Sequence, residues 1–280
     1  MLTTTRLDGK STANSILDNL SERVQQLEST PNLHVVLVGK DEASLSYIRQ
    51  KTKSADRVGI ESEVHTLPEE STVEQVRDTI RELNQDASVD GIIVQLPLPS
   101  HLEERVILDT VDPSVDVDGL HSMNFGRLLS GEAPRFCPPT PKGILHLLDE
   151  YNVEFKGKRV SLVGMGRLVG RPLSQMLLNR DATVLCMHEH TQSIARYTRE
   201  SEIVIVAAGE PKLLTKEHIS EGTVVVDAGI HDTGDGLVGD VDYEDVSGVA
   251  GMITPVPGGV GPLTVACLLS NTVDSCDRDA

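Results

Sequence analysis

Short, β-branched apolar runs alternate with stretches of helical period along this chain, and that alternation admits few architectures. HVVLVG at 34–39 is a buried-strand run closed by a glycine, 43–58 has helical period, and 61–67 reads as the next strand. Ser71 opens a further helix at capping-box spacing to Glu74, and DGIIVQL at 90–96 is a third strand stopped by Pro97 and Pro99. A short helix follows near 103–111. The punctuation changes between 112 and 143, where DPSVDVDGL and CPPTPKG mark a junction before ILHLLDEY starts a helix. Strands at 159–163, 182–187, 202–207 and 223–227 follow, with helices between them. Repeated strand–helix–strand units predict parallel sheets and an α/β fold. The expected division is one α/β domain over residues 1–138 and a Rossmann-like, doubly wound parallel sheet over 139–261. The last stretch, 262–280, reads as a helix packing back onto the first domain.

Charge limits the partners. The net charge of −18, from 43 acidic against 25 basic residues, argues against nucleic acid, which needs a basic face. No apolar run is long enough to span a bilayer, and MLTTTRLDGK lacks the apolar region of a secretory leader. Cysteines 137, 186, 267 and 276 are scattered without a C-x-x-C pair, as expected of reduced thiols in the cytoplasm.

SLVGMGRLVGRP at 161–172 is the first stretch that implies chemistry. An apolar strand breaks into Gly164, Gly166 and Gly170, and Pro172 then opens a helix, so backbone N–H groups can approach a pyrophosphate at a helix N-terminus. The spacing is one residue longer than G-x-G-x-x-G, and glycine turns of this kind also serve packing. The next strand runs into His188-Glu189-His190. Glu189 stands where a carboxylate accepts from adenosine ribose hydroxyls and repels a 2′-phosphate, which favours NAD over NADP. The alternative is one more solvated acid, with Arg167, Arg171 and His190 near enough in sequence to hold a phosphate. No third ligand accompanies His188 and His190, so no metal is expected there.

GKDEASLSYIRQK at 39–51 is the second. Tyr47 and Lys51, four apart on a helix, share a face just beyond the C-terminal end of a parallel strand, where open α/β sheets bind ligands. Gln95, at the end of another strand, points to the same crevice. A lysine there is either a proton donor and acceptor or a solvated charge.

VGKDEASLSYIRQKTKSADRVGI, DGIIVQLPLP, DVDGL followed by N-x-G-R-L, PPTPKGI, GMGRLVGRP and GMITPVPGGVGPLT, in this order, resemble the bifunctional methylenetetrahydrofolate dehydrogenase/methenyltetrahydrofolate cyclohydrolases. The resemblance runs from Arg6 to the C-terminal helix and implies two α/β domains with a folate in the cleft between them. It implies oxidation of 5,10-methylenetetrahydrofolate by hydride transfer to NAD or NADP, then hydrolysis to 10-formyltetrahydrofolate. Lys51 is then the catalytic acid/base, Gln95 orients its amine, Tyr47 packs along the folate ring, and Asp118 of DVDGL holds the pterin edge. Pro257, Gly258 and Gly259 of TPVPGGVGP form a lip where nicotinamide and folate meet; alone, they read as a rigid turn. Gly164, Met165, Gly166, Arg167, Glu189 and Ile230 fall at cofactor positions. The resemblance further implies a homodimer and folate substrates with or without a polyglutamate tail. It also leaves a dehydrogenase-only folate enzyme, or another NAD-dependent dehydrogenase, as the rival readings.

The departures bear on the cofactor. Where the family usually carries arginine and serine in the loop, this chain has Met165 and Gly166, and where it often carries serine after the second strand's histidine, it has Glu189. A cation and hydroxyls have gone and an anion has arrived, which again favours NAD. The usual cysteine of the P-C-T-P stretch is Pro139, so no thiol chemistry is expected there; Leu263 replaces a methionine at similar volume.

Overall fold

The computed structural model describes residues 3–234 and 236–277, with only the backbone at position 43. The chain forms two compact units, Met1–Ala13 with Thr140–Thr264 and Asn14–Pro139 with Val265–Ala280.

In the second of these, Asn32–Val38 is the central strand of a three-stranded sheet, flanked in parallel by Glu61–Leu67 and Gly91–Val94. The helix Glu42–Val58 follows the central strand; the Asp41 carboxylate accepts from Ser44 N at 2.8 Å, and Gly59 closes it with φ +86°. The helix Val73–Gln85 begins one residue later than the Ser71 spacing predicts. Thr72 is its N-cap and closes a reciprocal box with Gln75, while Glu74 turns outward to Arg77 and Arg81. Its Val76 and Ile80 pack on Val36, Val38, Ile92 and Val94, one apolar face of the sheet.

The other unit is built on six parallel strands in the order Thr5–Arg6, Met252–Ile253, Val224–Asp227, Ile203–Val206, Arg159–Val163 and Thr183–Met187. Arg159–Val163 is followed in the chain by the neighbour on one side and then by the neighbour on the other. The winding therefore reverses there, and crevices for nucleotides open at such reversals. The expected first domain began at residue 1, whereas Thr5 and Arg6 pair with Met252 and Ile253 in this sheet. Two residues carry no periodicity by which to assign them. The helix Pro139–Glu150 starts well before ILHLLDEY, because Pro139 and Pro141 lie in its first turn, where a missing N–H costs nothing. Among the described residues, no helix is long and apolar enough to cross a membrane.

Candidate active site

The order of the three-stranded sheet reverses between Asn32–Val38 and Gly91–Val94. The C-terminal ends of those strands are where the sequence places Lys51 and Gln95, and there the two side chains meet. Lys51 Nζ donates to Gln95 Oε1 at 3.1 Å, and both residues are only 9% exposed. Gln95 is held from two sides: its backbone N donates to Val36 O at 2.9 Å, and Nε2 donates to Leu96 O at 2.7 Å. That second bond uses one hydrogen of the amide NH2 and leaves the amide oxygen facing the lysine. Tyr47 lies one helical turn before Lys51 and is 42% exposed, and its partial burial raises its hydroxyl pKa. An apolar ring face with an open side suits a flat ligand.

Asp118 completes the cluster. Burial raises its carboxyl pKa, and the Lys51 ammonium opposes that rise, so the acid and the amine lie within electrostatic reach. The loop carrying it is rigid for reasons the sequence did not disclose. Asp116, two residues earlier, is buried and accepts from Leu120 N, His121 N and Asn124 Nδ2 at 3.2, 2.8 and 2.9 Å. Desolvation outweighs these bonds and pushes it up to about 7. Gly119 has φ +62°, and a Cβ there would lie 2.8 Å from Phe136 O. Asn271 Nδ2 donates to Val117 O at 2.8 Å and Cys137 O at 3.0 Å, tying the C-terminal helix to the same loop. A repeated aspartate at 116 and 118 was the available signal for the first of these supports; Asn271 had none.

In the other unit the glycine loop connects Arg159–Val163 to the helix Gly170–Leu178, which begins two residues before the expected Pro172. Gly164 has φ +101°, and a Cβ there would lie 2.0 Å from Ala207 O; one on Gly170 would lie 2.0 Å from Gly164 O. A Cβ on Gly166 would meet nothing within 4 Å. Two glycines are thus demanded by backbone contact, and the third leaves open space beside the turn. Arg171 N donates to Gly166 O, and its Nε donates to Met165 O, bracing the turn from behind. A turn of this form at the sheet's reversal fits a dinucleotide. Arg167 is partly buried on the same loop.

Glu189 follows Thr183–Met187 and is exposed, 3.4 Å from the equally exposed His190. Ile230, 45% exposed, follows Val224–Asp227 on a loop shaped by two buried acids. Asp227 accepts from Gly229, Asp240 and Val241 N, and burial pushes it up to about 6. Asp240 accepts from Ala208 N, Gly209 N and His231 Nε2 at 2.6, 2.9 and 2.7 Å. Sequence reasoning missed both, although each ends or follows a strand in the half assigned to the cofactor. Pro257, Gly258 and Gly259 also belong to this unit; Gly258 has φ +101° and its carbonyl accepts from Lys10 N at 2.9 Å.

The structure therefore brings Lys51, Gln95, Tyr47 and Asp118 together in one unit and gathers the glycine loop, Glu189 and Ile230 on strand ends of the other. Against known proteins, residues 7–118 match the tetrahydrofolate dehydrogenase/cyclohydrolase catalytic domain and residues 138–280 the NAD(P)-binding domain of the same enzymes. The bifunctional FolD protein of Hydrogenobaculum sp. (strain Y04AAS1) is 48% identical over 268 residues, covering 95% of this chain and 96% of its own. The crystal structure of the bifunctional FolD methylenetetrahydrofolate dehydrogenase/cyclohydrolase from Campylobacter jejuni superposes with a TM-score of 0.97 at 43% identity, covering 99% and 100% of the two chains. That of the Trypanosoma brucei dehydrogenase–cyclohydrolase, complexed with NADP and an inhibitor, gives 0.95 at 35% identity, covering 100% and 99%.

Proposed function

Because the chain belongs to the tetrahydrofolate dehydrogenase/cyclohydrolase family, we propose that Lys51 and Gln95 are its proton-transfer pair and that Tyr47 and Asp118 hold the pterin beside them. The protein oxidises 5,10-methylenetetrahydrofolate to the methenyl form by hydride transfer to a nicotinamide dinucleotide, then hydrolyses that product to 10-formyltetrahydrofolate in one-carbon metabolism. When bound, the dinucleotide supplies the hydride acceptor. For that step the chain's residues need only hold the one-carbon bridge in place: Tyr47 by stacking, Asp118 by accepting from the pterin's polar edge.

Hydrolysis asks more of them. Water attacks the methenyl carbon and must lose a proton as its C–O bond forms; the ring nitrogen must gain one as its bond to that carbon breaks. A single amine can take the first proton and return one to the nitrogen, the second proton of water leaving to solvent. Lys51 Nζ is the amine in the cluster, and Gln95 Oε1 accepts one of its hydrogens, which restricts the directions open to its other two positions. The 3.1 Å contact between these two buried side chains carries the reading. The test is Lys51→Met, followed by methenyl-folate absorbance. Cyclohydrolase activity should fall by ~10²–10⁴, the usual worth of a general acid/base, and hydride transfer by less. Undiminished hydration in Lys51→Met refutes the assignment.

For the cofactor we propose a preference for NAD. Met165 and Gly166 offer neither cation nor hydroxyl to a 2′-phosphate, and Glu189 would face it as a like charge. Comparison of kcat/KM for NAD and NADP tests this, with the ratio moving toward NADP in the double variant Met165→Arg, Glu189→Ser. A native enzyme that strongly prefers NADP overturns it, leaving the nearby arginines to dominate.

A further inference from the structure

The three-stranded sheet carries a second cluster of ligating side chains, one that shares no residue with the Lys51–Gln95 site. Its members come from two strands and have no sequence signature, since His34 is distant from Glu63 and His65 in the chain. The parallel register sets His34 opposite Glu63 and Val36 opposite His65. Strand alternation then puts all three on one face, the face of Val36 and Val38. His34 Nδ1 and His65 Nε2 are 2.8 Å apart, with the ring planes 14° from parallel and the centroids 5.1 Å apart, so the two nitrogens face each other head on; Glu63 Oε1 lies 3.9 Å from the same His65 nitrogen. One ligand atom from each of the three lies within 4.8 Å of the others. The floor is buried, with His34 5% exposed, while the His65 and Glu63 side chains, 24% and 66% exposed, leave a mouth to solvent.

We propose that His34, His65 and Glu63 form a binding site for a divalent transition metal of the zinc class. Two imidazole nitrogens select zinc and its neighbours over magnesium or calcium, and one carboxylate completes a three-ligand set with a position left for water. Glu63, Asp86 and Asp90 all lie within electrostatic reach of His34, and their negative charge attracts a cation. Ligation through Nδ1 puts the His34 proton on Nε2, a buried nitrogen without a hydrogen-bond partner among the described residues. Two nitrogens at ~2.05 Å from a tetrahedral ion stand about 3.3 Å apart, so holding an ion takes about half an ångström of separation and a swing of both rings that turns the nitrogens from facing each other toward a common point. The edge strand Glu61–Leu67 carries two of the ligands, and an ion would clip it to the central strand.

The experiment uses the full chain, dialysed against chelator and titrated with zinc chloride and, separately, magnesium chloride. Bound metal is measured by calorimetry and elemental analysis. Wild type should take up one zinc equivalent, show a raised Tm with zinc and ignore magnesium. Glu63→Gln, at an exposed position, should keep the metal-free Tm, and both it and His65→Gln should weaken zinc at least ~10-fold. The double variant His188→Gln, His190→Gln should bind zinc as wild type does. Absence of stoichiometric zinc in wild type overturns the proposal and leaves a hydrogen-bonded histidine pair. Unchanged affinity in His65→Gln, or loss confined to the His188/His190 variant, overturns it as well.

Discussion

Gln95→Leu isolates the contribution of a residue that touches the amine proposed to transfer protons without itself moving any. Leucine keeps the volume and removes Oε1, so Lys51 Nζ loses the acceptor 3.1 Å away. A hydrogen bond to a charged group is worth about 1.5–3 kcal/mol, and with Lys51 only 9% exposed, water does not readily replace it. If that energy holds the amine in its reactive direction, hydration of the methenyl carbon should slow by about 10- to 150-fold at ~1.4 kcal/mol per decade. Hydride transfer, which needs the folate held but no proton from Lys51, should fall by less than about tenfold. The loss should sit in kcat, with KM for the folate nearly unchanged, because Tyr47 and Asp118 remain. Leu96 O also loses its partner Nε2, at a cost of about 1–3 kcal/mol in stability, so a Tm measurement accompanies the kinetics. Cyclohydrolase turnover within a factor of two of wild type refutes the orienting role, as does a parallel fall of both activities with an unchanged Tm.

Gly164→Ala should abolish dinucleotide binding and destabilise the unit by more than about 1–3 kcal/mol, because its Cβ would lie 2.0 Å from Ala207 O at a φ of +101°. Gly166→Ala, with open space around it, should stay within ~0.5 kcal/mol of wild type by denaturant unfolding. Asn271→Leu should lower stability by about 2 kcal/mol or more and raise KM for the folate, since Val117 O and Cys137 O both lose a donor and the Asp118 loop loosens. Steady-state KM alongside the urea midpoint checks it. Asp116, pushed up to about 7, contributes stability at acid pH that is lost as pH rises through that value, because the unfolded chain gives up the proton earlier. Urea midpoints from pH ~5 to ~8 should therefore decline less steeply in Asp116→Asn than in wild type, and equal slopes would contradict the shift.

What could be read from residues alone was whatever depends on local pattern. Strand runs such as HVVLVG and RVSLV, and glycines where a strand must turn into a helix, follow from sterics and periodicity within a few residues. The Tyr47-x-x-x-Lys51 pair is one helical turn and needs nothing else to be predicted. Helix starts were less legible: Thr72 rather than Ser71 caps its helix, because either hydroxyl fits the spacing and only the packing of Val76 and Ile80 selects the register.

The tertiary structure decided everything that joins distant segments. Thr5–Arg6 is a strand only because Met252–Ile253 offers it an edge. Lys51 and Gln95 become a pair because two strands from different stretches end side by side, and Gln95's orientation is set by Leu96 O. The buried acids Asp116, Asp227 and Asp240 look like ordinary surface charge in an acidic chain until the fold withdraws water and supplies backbone N–H groups instead. The His34–Glu63–His65 cluster exists only through the register of two parallel strands. Periodicity encodes which face of an element is apolar; desolvation, charge coupling and side-chain contact depend on which elements become neighbours.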